Sequence, residues 1–238
     1  MLPGGSQRRT FDNGDRRGKD GGHRVGEINN SVLNSCFSAS LMSRHGYPSE
    51  QTRMGLLTFS LNVTLDGCVD HQEGIADDET HAFFTRLLDE GGAMLWGRVT
   101  YEMMEDYWPM VARGEMAAPP AIREWAVKLE VKPKYVVSST RTDFRWTNSH
   151  HLTGDLRSSV QQLKDATPAG VLLGSGQLAT ALDRLDLIDE YQFLVHPRIA
   201  GHGPTLYQSG LPSTRRLELI SSTPLRNGAV AMHYRRAR

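Results

Sequence analysis

Cysteine is nearly missing from this chain, net charge is zero, and long apolar runs are lacking altogether. Each absence removes a class. The two cysteines, Cys36 and Cys68, form no C-x-x-C pair, which excludes a disulfide framework or a structural zinc site and fits a reducing cytoplasm. Lys plus Arg number 27 and Asp plus Glu number 27, so there is no surplus of positive charge to hold nucleic acid or an anionic membrane surface. No apolar stretch approaches the roughly 18–20 residues that span a bilayer. The expectation is a soluble, cytoplasmic globular protein whose partner is a small molecule, with neither nucleic acid nor membrane as a partner.

The charge balance is a sum of two unequal parts. Residues 1–53 carry eight Lys/Arg and five Asp/Glu, a surplus of three, so the remainder carries a deficit of three. This leader is rich in Gly, Ser, Asn and Arg and shows neither the strand period nor the helix period, so it buries too little apolar surface to offset its ordering entropy. It also lacks the apolar centre of a secretory signal. Three readings stand: a disordered extension, an organelle transit segment that its acidic residues argue against, or upstream sequence joined through a misplaced start. Met54 immediately precedes the first patterned segment, which favours the last. The expected division is an extension over 1–53 and one folded domain over 54–238.

From Gly55 the punctuation is regular. Leu56–Thr64 reads as a strand ending at the turn signal Asp66-Gly67. Asp77 and Asp78 can cap a helix in which Ala82, Phe83, Leu87 and Leu88 recur at helical spacing until Gly91-Gly92. Ala93–Trp96 is a short apolar strand followed by Gly97 and a helix from about Val99. Pro119-Pro120 opens another helix. Strands at Lys134–Ser138, Val171–Leu173 and Ile188–Val195 are separated by helices from about Gly154 to Lys164 and from Gln177 to Leu185. Two late strands, near Arg216–Ser222 and Ala229–Arg235, have no helix between them. Strands separated by helices require parallel crossovers, whereas the final pair is a hairpin. The expected class is α/β: a mixed, mostly parallel sheet flanked by helices, with an antiparallel C-terminal hairpin.

Three strand ends carry groups suited to phosphate. Gly174-Ser175-Gly176-Gln177-Leu178-Ala179 follows an apolar strand and opens a helix, so its glycines admit a close backbone approach and its first N–H groups face an anion. The acid that a Rossmann unit places about 20 residues on, at the end of the next strand, is missing here; the phosphate cradle stands without that topology. Gly97-Arg98-Val99-Thr100 repeats the strand–glycine–helix design, with a guanidinium fork and a hydroxyl. Ser138-Ser139-Thr140-Arg141 adds hydroxyls and another guanidinium. Open α/β sheets bind ligands beyond the carboxyl ends of their strands, and three such ends together point there.

These segments, with Thr64-Leu65-Asp66-Gly67, Pro133-Lys134-Tyr135-Val136-Val137 and Asp189-Glu190-Tyr191…Val195-His196-Pro197…Gly201-His202-Gly203, occur in one order over residues 55 to about 236. That order resembles the dihydrofolate reductase-like proteins related to the reductase domain of riboflavin biosynthesis. The resemblance implies an oxidoreductase that binds NADPH across the carboxyl edge of the sheet and reduces a small pterin- or pyrimidinone-like heterocycle, as a homodimer. It also implies that Gly97, Arg98 and Thr100 face the adenosine phosphates, Ser138 and Ser139 border the adenine ribose, and Gly174, Ser175, Gly176, Gln177 and Leu178 cradle the pyrophosphate. Thr64 would lie near the nicotinamide, and Asp66 is the candidate catalytic group, with a turn-forming role as its alternative. An Arg on the 2′-phosphate side leans toward NADP.

The sequence departs from that family in informative places. The carboxylate that anchors a pterin near the start of the first helix falls on Thr80, with Glu79 beside it. This leaves open a non-catalytic dinucleotide-binding or regulatory module on the same fold. His71-Gln72-Glu73 matches only the first half of a zinc deaminase signature, whose second half is absent. His196 and His202 sit among Pro and Gly and read as loop formers, so no metal site is expected. Ser175 lacks the G-x-S-x-G setting of a nucleophile. Trp96 reads as core, and Tyr107-Trp108-Pro109 as a candidate edge of the cleft.

Overall fold

A computed structural model describes residues 55–238. The extension expected over 1–53, and Met54 as the domain's first residue, lie outside the described residues. Within them the chain runs β1 (Leu57–Thr64), a 3-10 turn (His71–Glu73), α1 (Asp78–Glu90), β2 (Ala93–Gly97), α2 (Arg98–Glu105), α3 (Trp108–Arg113) and α4 (Pro120–Val131). It continues through β3 (Lys134–Val137), β4 (Ser149–Leu152), α5 (Leu156–Ala166), β5 (Val171–Leu173), α6 (Gly176–Arg184), β6 (Glu190–His196), β7 (Leu217–Pro224) and β8 (Val230–Arg236). The eight strands form one sheet in the order β4-β3-β2-β5-β1-β6-β8-β7. Neighbours from β4 to β6 are parallel, and β8 runs antiparallel to both β6 and β7. The mixed sheet with its antiparallel end is the architecture that the spacing of strands and helices predicts.

Period-two alternation decides which face each strand residue serves. Leu57 and Phe59 of β1, Leu95 of β2, Leu173 of β5 and Tyr191 of β6 pack against Val160 and Leu163 of α5 and Leu178 and Leu182 of α6. The opposite face carries α1 and α4: Leu88, Trp125 and Leu129 meet Trp96 and Val136, and Phe83 and Leu87 meet Leu172 and Leu194. β1 is central, yet on this second face it is polar, with Thr58, Ser60, Asn62 and Thr64 in succession. A strand covered on both sides ordinarily reads as continuous apolar sequence. The polar face therefore marks where packing gives way to something else.

Two elements escape the sequence pattern. β4, Ser-His-His-Leu, is an edge strand without apolar alternation; it is held by parallel pairing to β3 and by side chains that reach it, Tyr101 Oη to Ser149 Oγ at 3.2 Å and His151 to the Ser138 carbonyl at 3.0 Å. α3 is six residues long, too short to show a period, and its Pro109 lies in the first turn. Lys134 opens β3 fully buried, an unusual place for an ammonium. Its Nζ donates to the carbonyls of Leu129, Glu130 and Lys132 at 2.8, 3.0 and 2.8 Å and lies 4.6 Å from the Trp146 ring centre. It thus closes the C-terminus of α4, where the helix dipole favours a cation.

Candidate active site

Strand order alone locates the crevice. β2 and β5 are adjacent, but the chain leaves β2 toward β3 and leaves β5 toward β6, in opposite directions. Such a switch point opens a gap beyond the strands' carboxyl ends. Gly97 and Gly174 stand at those two ends, and the gap widens into a cleft of about 1790 Å³. Pockets for single drug-sized ligands run to roughly 1,000 Å³, so this one has room for a long ligand and a second, smaller one.

Ser175 ties the two turns together. Its buried Oγ accepts the Gly97 N–H at 3.0 Å and donates to Thr100 Oγ1 at 2.7 Å. Ser175 is thereby committed to protein groups, and the N–H at Gly97 is spent. The helices that begin here, α2 and α6, have neither a capping side chain nor a proline in the first turn. By contrast α1 and α5 are capped by Asp77 and Asp155. An uncapped helix start leaves N–H donors and the positive end of the helix dipole facing outward, here into the cleft. A methyl group added at Gly174 would meet Trp96 Nε1 at 2.9 Å, whereas one at Gly176 would meet nothing closer than Leu61 Cδ1 at 3.9 Å. Gly174 is therefore required by the protein's own packing; the space at Gly176 is left open on the cleft side.

The charge of the wall is lopsided. Among the described residues that line it, Arg98 and Arg184 are cationic and Asp70 is the single carboxylate. Arg184 is held by the neutral carbonyls of Ser209 and Gly210, both at 2.8 Å, which leaves its charge uncompensated. Arg98 pairs with Glu102 one turn along α2 at 2.7 Å, with both side chains over a third exposed. An exposed pair of this spacing is worth about 0.3–0.5 kcal/mol, so an anion in the cleft competes readily for the guanidinium. Arg141, the other guanidinium near these strand ends, is instead fastened to Glu105 at 2.7 Å and lies over the rings of Tyr101 and Phe144.

The structure brings Gly97, Arg98 and Thr100, Ser138 and Ser139, and the run from Gly174 to Leu178 to this one cleft. It does not bring Thr64 or Asp66 there. The Asp66 carboxylate accepts the Thr64 hydroxyl, the Ala200 N–H at 3.1 Å and the Gly201 N–H at 2.8 Å. These bonds, led by that from Thr64, lower its pKa to about 2. Asp66 is a staple between the end of β1 and the loop after β6, with its oxygens committed, and of the two roles that the sequence left open this geometry serves the turn-forming one. Thr80 lines the cleft but offers only a hydroxyl, already near Asn227 Nδ2 at 3.4 Å, while Glu79 turns away to bind Arg226 at 2.9 Å. Tyr107 and Trp108 do edge the cleft, and Trp96, though core, contributes to its wall.

The residues that sequence reasoning missed lie on the polar face of β1, on the loop that follows it and on α1. Ser60 and Asn62 line the cleft, as do Ile75, His81 and Phe84. The polar alternation of Leu57–Thr64 was the available signal, since a central parallel strand has little other use for it.

The RibD C-terminal domain family matches residues 56–231. The chain belongs to that family. The RibD-type domain here is also 24% identical over 182 residues to the uncharacterised protein YyaP of Bacillus subtilis, covering 75% of this chain and 93% of that one. Its fold is shared by a pyrimidine reductase-like protein from Corynebacterium diphtheriae, at 13% identity and a TM-score of 0.56 over 81% of this chain and 96% of the other. It is shared as well by the diaminohydroxyphosphoribosylaminopyrimidine deaminase/5-amino-6-(5-phosphoribosylamino)uracil reductase of Thermotoga maritima, at 16% identity and a TM-score of 0.55 over 79% of this chain and 58% of that longer one. The architecture is the dihydrofolate reductase-like sheet. Among the described residues no helix is long and apolar enough to cross a membrane.

Proposed function

We propose that this RibD-type domain is an NADPH-dependent reductase of a small pterin- or pyrimidinone-like heterocycle. The observation that carries the reading is the pair of uncapped helix starts, α2 and α6, tied by Ser175 and opening on one electropositive cleft. The donor set suits a dinucleotide: backbone N–H groups at Gly176, Gln177 and Leu178 for the pyrophosphate, Arg98 and Thr100 for the phosphate of the adenosine end, and Ser138 and Ser139 beside its ribose. When bound, NADPH supplies the hydride. The protein's share is then positioning and exclusion of water. Phe84, Leu88, Met104 and Trp108 supply apolar wall to the cleft. Asp70, the one carboxylate among the described residues of the wall, has one oxygen engaged in capping the 71–73 turn through the Gln72 N–H at 3.0 Å, and the proton is assigned to water. The protein acts in the cytoplasm, and a homodimer is the assembly, supported by edge strand β7, which is exposed throughout and carries Leu217, Leu219 and Ile220.

Fluorescence titration with NADPH and NADH, followed by a turnover screen over pterins, pyrimidinones and quinones, tests the reading. Binding of NADPH with turnover of one of these classes is the expected result, and failure to bind either dinucleotide overturns it. Thr80 in place of a carboxylate favours a second reading, a dinucleotide-binding module without catalysis, which binding with no turnover across the screen would select.

A further inference from the structure

The polar face of β1 ends in a relay that orients one side chain. His196, the last residue of β6, is buried completely beneath the loop of residues 70–76. Its Nδ1 accepts the backbone N–H of Ile75 at 3.3 Å, so the proton of the neutral ring resides on Nε2. Nε2 then donates to Asn62 Oδ1 at 2.8 Å, and the carbonyl of the Asn62 amide is consumed. Gly74 packs over this contact, with any added methyl 3.6 Å from Asn62 Cγ and 3.7 Å from His196 Nε2. The NH2 of Asn62 has no partner among the described residues, is not among their buried orphan atoms, and belongs to a side chain that lines the cleft.

A second observation points to the same place. Ser60, two residues earlier and on the same face, is 8% exposed, lines the cleft, and has an Oγ with no partner among the described residues. A buried hydroxyl left unpaired is costly, and rotation about χ1 lets it meet a ligand that Asn62 has placed. Asp70, the one carboxylate among the described residues that line the cleft, has an oxygen engaged by the Gln72 N–H at 3.0 Å, Thr80 offers a hydroxyl, and Glu79 binds Arg226. The polar face of β1 itself carries no carboxylate, so Asn62 and Ser60 present donors there.

We propose that Asn62, oriented by His196, is the specificity-determining donor at the substrate end of the cleft and selects a planar ring carrying a carbonyl over one presenting an amidine-type pair of N–H groups. This rests on the reductase reading for its substrate, but not for its test. His196 is a positioning residue: it touches Asn62 and not the ligand. A carboxylate in place of Asn62 would keep the bond to His196 Nε2 and turn the free end from donor to acceptor, reversing the selection.

The test is calorimetric titration of the full chain, free and with NADPH, using uracil and 2,4-diaminopyrimidine as probes. Uracil is expected to bind more tightly. Asn62→Leu should weaken uracil about tenfold, the scale of one lost hydrogen bond that leaves a partner unsatisfied. Asn62→Asp, nearly the same size, should invert the order of the two probes, which a merely structural role would not do. His196→Phe should weaken uracil while NADPH affinity stays as it was. Tighter binding of 2,4-diaminopyrimidine by the unaltered protein, an unchanged order in the folded Asn62→Asp variant, or no uracil binding at all overturns the proposal. NADPH affinity, measured in the same titrations, reports separately on the cofactor reading.

Discussion

Gly176→Ala separates the needs of the protein from those of its ligand. The added methyl would lie 3.9 Å from Leu61 Cδ1 and 4.0 Å from Val69 Cγ2, ordinary contact distances, and Gly176 is the first residue of α6. Alanine is the better helix former by up to about 1 kcal/mol, so thermal stability should hold or rise slightly. If the first turn of α6 cradles a pyrophosphate, the same methyl intrudes on it. Overpacking of a tight contact costs about 1–3 kcal/mol, which corresponds to roughly 5- to 150-fold weaker binding. Gly174→Ala should behave in the opposite sense, because its methyl would stand 2.9 Å from Nε1 of the buried Trp96 indole. That clash falls on folding: about 1–3 kcal/mol of stability, read as a melting temperature lower by several degrees in a domain of this size. The assay pairs a thermal melt with an NADPH titration for each variant. A folded Gly176→Ala protein that binds NADPH within twofold of the unaltered chain refutes the cradle.

Three further outcomes follow from the same geometry. Asp66→Ala should lower the melting temperature while sparing turnover per folded molecule, and a large loss of turnover would return Asp66 to the mechanism; because the folded-state pKa is depressed from 3.8 to about 2, the stability this carboxylate contributes is present above 3.8 and is lost as pH falls through about 2, which an acid titration of the two proteins compares. Asp183 is 1% exposed and accepts from Tyr191 Oη at 2.9 Å, Tyr207 Oη at 2.8 Å and Arg236 Nη1 at 3.0 Å, so Asp183→Ala should cost about 3–5 kcal/mol in denaturant unfolding; a loss under 1 kcal/mol would show the hub to be unimportant. Lys134→Met should cost about 1–3 kcal/mol by leaving the carbonyls at the end of α4 without their donor, and proteolysis or hydrogen exchange should localise the loosening to α4 and β4.

Much of the fold is legible in the sequence because most of its elements are apolar on a fixed period and end at glycine or proline. Val171–Leu173 and the helix that follows it can each be read within a dozen residues, and the late hairpin within the stretch from Leu217 to Arg236. Local chemistry likewise announces the glycine turns at Gly97 and Gly174, since a strand–glycine–helix junction is a property of neighbouring residues. What local pattern cannot carry is pairing across the chain. β4 exists because Tyr101 and β3 reach it, and its own Ser-His-His-Leu carries no period. Arg98 and Arg141 look alike in sequence, but one faces the cleft and the other is locked between Glu105 and two rings. Asp66 reads as a candidate acid, yet the Ala200 and Gly201 N–H groups that occupy it come from 134 and 135 residues away. The strand order that inserts β5 between β2 and β1 sets the crevice between Gly97 and Gly174, and the contact between Asn62 and His196 depends on β1 and β6 lying side by side. By itself the sequence determined the elements, their faces and the phosphate-suited turns; only the tertiary structure decided which of those turns meet and which polar groups remain free, because hydrogen bonds between distant segments are made in space and leave no period behind.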